Sequence, residues 1–196
     1  GVPESERGAR VHAVTATRMF TREDPWVNVL RSTIATFAAC AGGADSITVL
    51  PYDTIAGLPE KFSRRLARNT QIVLADEANI GRVTDPAGGS YYVEDLTREV
   101  ATKAWAVVQA VEAAGGMPAA LANGLVAKRI QETIAEDGGR IATRRQPITG
   151  VSMFPGSNEQ PLDVRPRPEA PANGGLQAHR DSEVFEALRD RVATAD

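Results

Sequence analysis

The chain has 196 residues, a formal net charge of -3 and 42% hydrophobic residues, enough for one domain with a core, and it lacks the charge excess of a nucleic-acid groove or a basic membrane face. Cys40 is the single cysteine, which excludes an internal disulfide and a thiolate metal cluster and leads us to expect a reducing cytoplasm. No apolar run approaches the ~20 residues of a membrane span, and Gly1–Arg10 (GVPESERGAR) has no secretory apolar core. That segment runs at once into a strand-like stretch without a Met, as a piece of a longer protein would.

Val11–Phe20 (VHAVTATRMF) reads as a strand leaving a core. Asp24-Pro25 follows, with Asp24 expected as N-cap of a helix and Pro25 at its first turn. From Trp26 to Ala41 the apolar positions Val27, Leu30, Ile34, Phe37, Ala38 and Ala41 recur at helical spacing and predict a buried face. Gly42-Gly43 ends that helix. Ser46–Leu50 (SITVL) predicts a short buried strand of a parallel sheet. A second helix is expected from about Leu58-Pro59-Glu60 to Asn79, with Phe62, Leu66, Ile72, Val73 and Leu74 inward. The turn Asp85–Ser90 (DPAGGS) and Tyr91-Tyr92-Val93 precede a helix over about Glu94–Ala114, which Gly115-Gly116 stops. Two shorter helices are expected over Pro118–Asn123 and Leu125–Arg144. Pro155, Pro161, Pro166, Pro168 and Pro171 then mark an extended linker, and Ser182–Val192 reads as one amphipathic helix.

Strands alternating with amphipathic helices indicate an α/β fold with a parallel sheet. A complete (β/α)8 barrel takes ~250 residues, so residues 1–154 are long enough only for its last units. Residues 155–196 form the Pro-rich linker and short helix.

The chemistry visible in single motifs is sparse. His12 and His179 lack a second ligand at metal spacing, and His12 reads as structural. Gly88-Gly89-Ser90 could cradle a phosphate, but a tight glycine turn is the commoner use. Arg64 and Arg68 share one helix face and read as a solvated or ion-paired surface. Asp45, Asp53, Asp76 and Glu77 form no general acid–base pair.

Several runs together resemble the methylmalonyl-CoA mutase family. They are Thr21–Arg31 (TREDPWVNVLR), Leu58-Pro59 with Phe62-Ser63 and Ala67–Gln71 (ARNTQ), Asp85–Glu94 (DPAGGSYYVE), Val111-Glu112 with Gly115-Gly116-Met117, and Ile148–Val151 (ITGV). They cover about Val11–Val151 in the family's order. The resemblance implies a TIM barrel holding an acyl-CoA along its axis, followed by a separate corrinoid-binding domain that would begin beyond Asp196. It also implies adenosylcobalamin radical chemistry interconverting methylmalonyl-CoA and succinyl-CoA, with the protein orienting and protecting the radicals.

Departures from the family pattern fall where strands meet the barrel mouth. Catalytic members read Q-T-S-G-W where this chain has Val14-Thr15-Ala16-Thr17-Arg18, and S-L-H-T-N-S-x-D-E where it has Ser46–Thr54. Val14 replaces an amide, and Thr48, Leu50 and Thr54 replace His, Asn and Glu. Mouth positions carry function and helix positions carry packing. The resemblance therefore implies the small, non-catalytic subunit of a heterodimer. No catalytic residue, metal or cofactor contact is expected on this chain, and Val14, Thr48, Leu50 and Thr54 are degenerate positions. Adenosylcobalamin and the acyl-CoA would be bound by a large catalytic partner subunit. Two alternatives stand beside this reading: a catalytic acyl-CoA mutase with altered substrate choice, and a structural or chaperone-like module related to mutases.

Overall fold

The structure is a computed structural model that describes residues 8–156, 160–168 and 178–194, together with Pro3 and Glu6. The chain forms two compact bodies. One is built from the described residues up to Pro86 and after Gln146, and the other from Ala87–Gln146.

The first body holds a parallel pair of three-residue strands, β1 (His12–Val14) and β2 (Ser46–Thr48), in the register His12↔Ser46, Ala13↔Ile47 and Val14↔Thr48. Helix α1 (Val27–Ala41) connects them, and α2 (Lys61–Ile72) follows β2. Both strands are shorter than their apolar runs predict. After Val14 the chain turns into one 3-10 turn at Thr17–Met19, and after Thr48 it leaves the ladder for a turn near Pro51. The alternation is clear: Ala13 and Ile47 are half-buried, whereas His12, Val14, Ser46 and Thr48 lie exposed on the opposite sheet face.

The faces of α1 are reversed relative to expectation. Its buried positions are Asn28, Ser32 and Thr36, spaced four apart on one side. Leu30, Ile34 and Phe37, expected in the core, are 62%, 69% and 52% exposed. Small polar side chains allow the helix to approach its neighbours closely; Thr36 donates to the Ser32 carbonyl at 2.6 Å, whereas the buried Ser32 hydroxyl has no hydrogen-bond partner among the described residues. Asp24 is not the N-cap. It adopts φ 44, and its carbonyl accepts the Val27 N–H at 3.1 Å, so a backbone turn starts the helix.

Helix α2 likewise buries Ser63 and Ala67, while Phe62 is exposed. The chain continues from α2 into one π-helical turn, Val73–Glu77, in which Leu74 is buried and Ile72 and Val73 are exposed. Asn79 at φ 55 ends it, a left-handed position that asparagine tolerates.

In the second body α3 (Tyr91–Ala113) starts three residues before the predicted helix, so Tyr91-Tyr92-Val93 form its first turn. Its apolar residues Leu96, Val100 and Val107 are exposed, and Val111 alone is buried. Gly115 (φ 97) and Gly116 (φ 85) terminate the helix, with the Gly116 N–H reaching back to the Val111 carbonyl at 3.0 Å. Helices α4 (Met117–Ala122) and α5 (Leu125–Ala142) follow as predicted.

Residues 160–168 of the Pro-rich stretch are irregular but held against the first body. Leu58 N–H donates to the Arg165 carbonyl at 2.8 Å, and Gly57 leaves room for that carbonyl, which a Cβ there would strike. Pro171 lies outside the described residues. The last helix, α6 (Glu183–Ala193), packs within the first body.

Candidate functional site

The strand ends are joined by side chains as well as by the ladder. Thr15, buried just past β1, donates its N–H to the Thr48 carbonyl at 3.1 Å, and its hydroxyl accepts the Leu50 N–H at 2.8 Å. On the exposed sheet face the His12 ring lies between Ser46 Oγ (2.7 Å from Nδ1) and Thr48 Oγ1 (3.1 Å from Nε2). His12 is thus a cross-strand link, in keeping with its structural reading. Asp45 accepts the Val11 N–H at 2.7 Å and helps fix where the pair begins.

The four positions expected to be degenerate divide between two places. Val14 and Thr48 are register partners at the C-terminal ends of the strands, with Val14 exposed. Leu50 is half-buried and lines a narrow gap between α1 and α2 with Val29, Leu66 and Ala67. Thr54 is buried in the following turn, where its hydroxyl donates to the Pro51 carbonyl at 2.6 Å and its own carbonyl accepts Arg167 Nη2 at 2.6 Å.

The most connected buried side chain is Asn28, which spacing alone marks only as one helical position. Its Oδ1 accepts the Thr21 N–H at 2.9 Å, the Thr21 hydroxyl at 3.2 Å and Arg31 Nη1 at 2.8 Å. Its Nδ2 donates to the carbonyls of Thr21 (2.8 Å) and Tyr52 (3.1 Å). Arg31 extends the network to the Thr149 carbonyl at 2.6 Å, and burial lowers its pKa from the ordinary arginine value. Tyr52, tilted against Trp26 with ring centroids 4.7 Å apart, has its pKa raised by burial and then by the charge of Asp53. Asp53 is almost wholly buried. Its Oδ2 accepts the Glu60 N–H at 3.0 Å at the start of α2, and Oδ1 has no donor among the described residues.

The glycine turn before α3 is a helix start. Gly89 has φ 78, and its N–H donates to the Glu94 carboxylate at 3.3 Å, an acidic partner reaching back from the first helical turn. That carboxylate stands where a phosphate would need the N–H. Arg64 and Arg68 are exposed on α2. Among the described residues no cluster of three metal-ligating side chains occurs, and no helix is long and apolar enough to cross a membrane.

The family model described as methylmalonyl-CoA mutase matches residues 3–192. The chain belongs to the methylmalonyl-CoA mutase family. It is 56% identical over 192 residues to the methylmalonyl-CoA mutase small subunit of Propionibacterium freudenreichii subsp. shermanii, covering 97% of this chain and 30% of that protein. It is 53% identical to the small subunit of Streptomyces virginiae, covering 97% of this chain and 31% of that one. Similarity to the methylmalonyl-CoA mutase of Cereibacter sphaeroides is 41% over 155 residues, 79% of this chain and 22% of that protein. The chain thus spans under a third of the length of these relatives.

In this chain the runs that resemble the family make long-range contacts. Asn28 and Arg31 of the first run reach Tyr52 and Thr149. Gly150 of the last run lies against Asp24 of the first.

Proposed function

We propose that this chain is part of the small, non-catalytic subunit of a heterodimeric, adenosylcobalamin-dependent methylmalonyl-CoA mutase. In this reading the large subunit binds adenosylcobalamin and the acyl-CoA and carries the radical 1,2-rearrangement between methylmalonyl-CoA and succinyl-CoA. The protein works in the cytoplasm. Residues 1–154 supply the last units of a TIM barrel, and residues 155–196 lead toward a cobalamin-binding-like domain.

The observation that carries the reading is what the degenerate positions do. Thr48 Oγ1 is engaged by His12, Thr54 Oγ1 by the Pro51 carbonyl, and Leu50 serves packing between α1 and α2. Val14 is exposed but offers no hydrogen-bonding group. These residues do not fit an adenosyl or corrin group, so no chemical step is assigned to them. Two relatives of high identity are named small subunits, which supports the pairing.

Support for a larger sheet comes from the strands themselves. Two three-residue parallel strands with one face exposed fall short of what an independent sheet needs. Support for a further neighbour comes from α1: its apolar stripe lies opposite its buried side and is exposed in this chain, as a face covered by the rest of the barrel or by a partner subunit would be.

The test uses the full-length subunit and its large partner. The subunit alone is expected to show no turnover and no spectral change with adenosylcobalamin, and to co-purify with the large chain. Mutase activity from the subunit alone would overturn the reading in favour of a catalytic enzyme. Capture of an unrelated client in place of a large mutase chain would favour an interaction module.

A further inference from the structure

We propose that the gap between α1 and α2 is a binding site for a single ordered water molecule, which bridges the Ser32 hydroxyl on α1 to the Ser63 hydroxyl on α2.

Three polar side chains form the buried face of α1. The Asn28 amide is satisfied through both Oδ1 and Nδ2, and the Thr36 hydroxyl donates to the Ser32 carbonyl. Ser32 is the exception. It is only 3% exposed, and its hydroxyl meets no donor or acceptor among the described residues. A hydroxyl taken out of water without a partner carries a desolvation penalty that a bound polar guest removes.

Ser32 lines the gap together with Val49, Leu50, Ser63, Ala67 and Thr70. There is room for about one water molecule. Among the described residues no charged side chain lines it, and every polar side chain on the lining carries a hydroxyl. A neutral guest that both donates and accepts fits such walls, whereas an ion would be left without a counter-charge.

The balance of donors and acceptors selects the partner. Ser63 gives its proton to the Glu60 carbonyl at 2.9 Å, and Thr70 gives its own to the Leu66 carbonyl at 3.1 Å. Both oxygens keep lone pairs that can accept. Ser32 has a proton to give. A water accepts it and donates in turn to α2, so the donors run in one direction, from Ser32 through water to Ser63 and on to the Glu60 carbonyl. Ser63 and Thr70 stand about 10 Å apart along the helix, so one water reaches only one of them. Ser63 is 1% exposed and Thr70 is half-buried, and Ser63 is therefore the oxygen that bulk solvent cannot serve. Val49, Leu50 and Tyr52 from the segment after β2 reach the same gap. The bridge thus ties the two helices where that segment meets them.

Two measurements on this chain test the site. Nuclear magnetic resonance should show magnetisation passing from a long-lived water to the Ser32 amide in the parent and not in Ser32→Ala. Urea unfolding of Ser32→Ala, Ser63→Ala and the double variant should show coupling: Ser63→Ala raises the unfolding constant about three- to tenfold less when Ser32 is already alanine. The higher helix propensity of alanine acts on each single variant alone and cancels in the cycle. Additive effects of the two substitutions, or a Ser32 amide without contact to a long-lived water, overturn the proposal.

Discussion

Gly150 faces Asp24 so closely that a Cβ on the glycine would lie 2.7 Å from the Asp24 Cβ. Both backbones have positive φ, 83 and 44. The pair joins two motifs more than a hundred residues apart and seats the segment Ile148–Ser152, whose Ile148, Val151 and Ser152 are buried, on the turn that begins α1.

Gly150→Ala should therefore destabilise the chain by about 2–4 kcal/mol, from the left-handed backbone and the clash together. Gly138→Ala, inside α5 with open space around the added methyl, should instead stabilise it by about 0.5–1 kcal/mol. Urea unfolding of the two variants beside the parent checks both signs.

Asn28→Ala removes a side chain that satisfies the Thr21 backbone, the Tyr52 carbonyl and Arg31 at once. The groups left behind are buried, so a loss of about 2–4 kcal/mol is expected. Thermal unfolding measures it, and a loss below about 0.5 kcal/mol would show that water replaces the amide.

The Glu186 carboxyl experiences two opposing effects. Burial raises its pKa, but hydrogen bonds from Arg180, the Arg22 backbone and Ser182 outweigh it and hold the pKa below the ordinary 4.5. A group whose pKa is lower folded than unfolded stabilises fully above the unfolded value and loses that contribution as pH falls through the folded one. Stability should thus be flat in this group near neutrality and decline below about pH 4.5. In Glu186→Gln that part of the acid slope should vanish, as denaturation followed from pH 7 to pH 3 would reveal.

Restoring the catalytic pattern on this chain should fail. Leu50→Asn introduces a polar group into the gap between α1 and α2, at a cost of about 1–3 kcal/mol. Thr54→Glu places a longer charged group in a buried turn. The double variant should be less stable and should bind adenosylcobalamin no better in a spectral titration. A clear gain in binding would favour the remodelled catalytic enzyme.

Helix positions were legible because they depend on spacing along the chain. The runs from Trp26, Pro118, Leu125 and Ser182 all became helices within a few residues of their predicted ends. Inward faces were not legible. Leu30, Ile34 and Phe37 form a stripe that any periodicity reading assigns to the core, yet Asn28, Ser32 and Thr36 occupy it. Periodicity locates an apolar stripe but says nothing about which neighbour meets it.

The same division holds for the candidate site. The sequence by itself determined the family and the glycine turns at Gly89 and Gly115-Gly116, which rest on local residue identity, and it marked Val14, Thr48, Leu50 and Thr54 as candidate positions. Only the tertiary structure decided that Thr48 and Thr54 use their hydroxyls internally and that Arg165 and Arg167 of the Pro-rich segment are held at the loop after β2. It alone also brought Arg22 to Asp190 across 168 residues and Arg31 to Thr149 across 118. Those contacts are electrostatic and directional, and their strength depends on burial and geometry that no local spacing specifies.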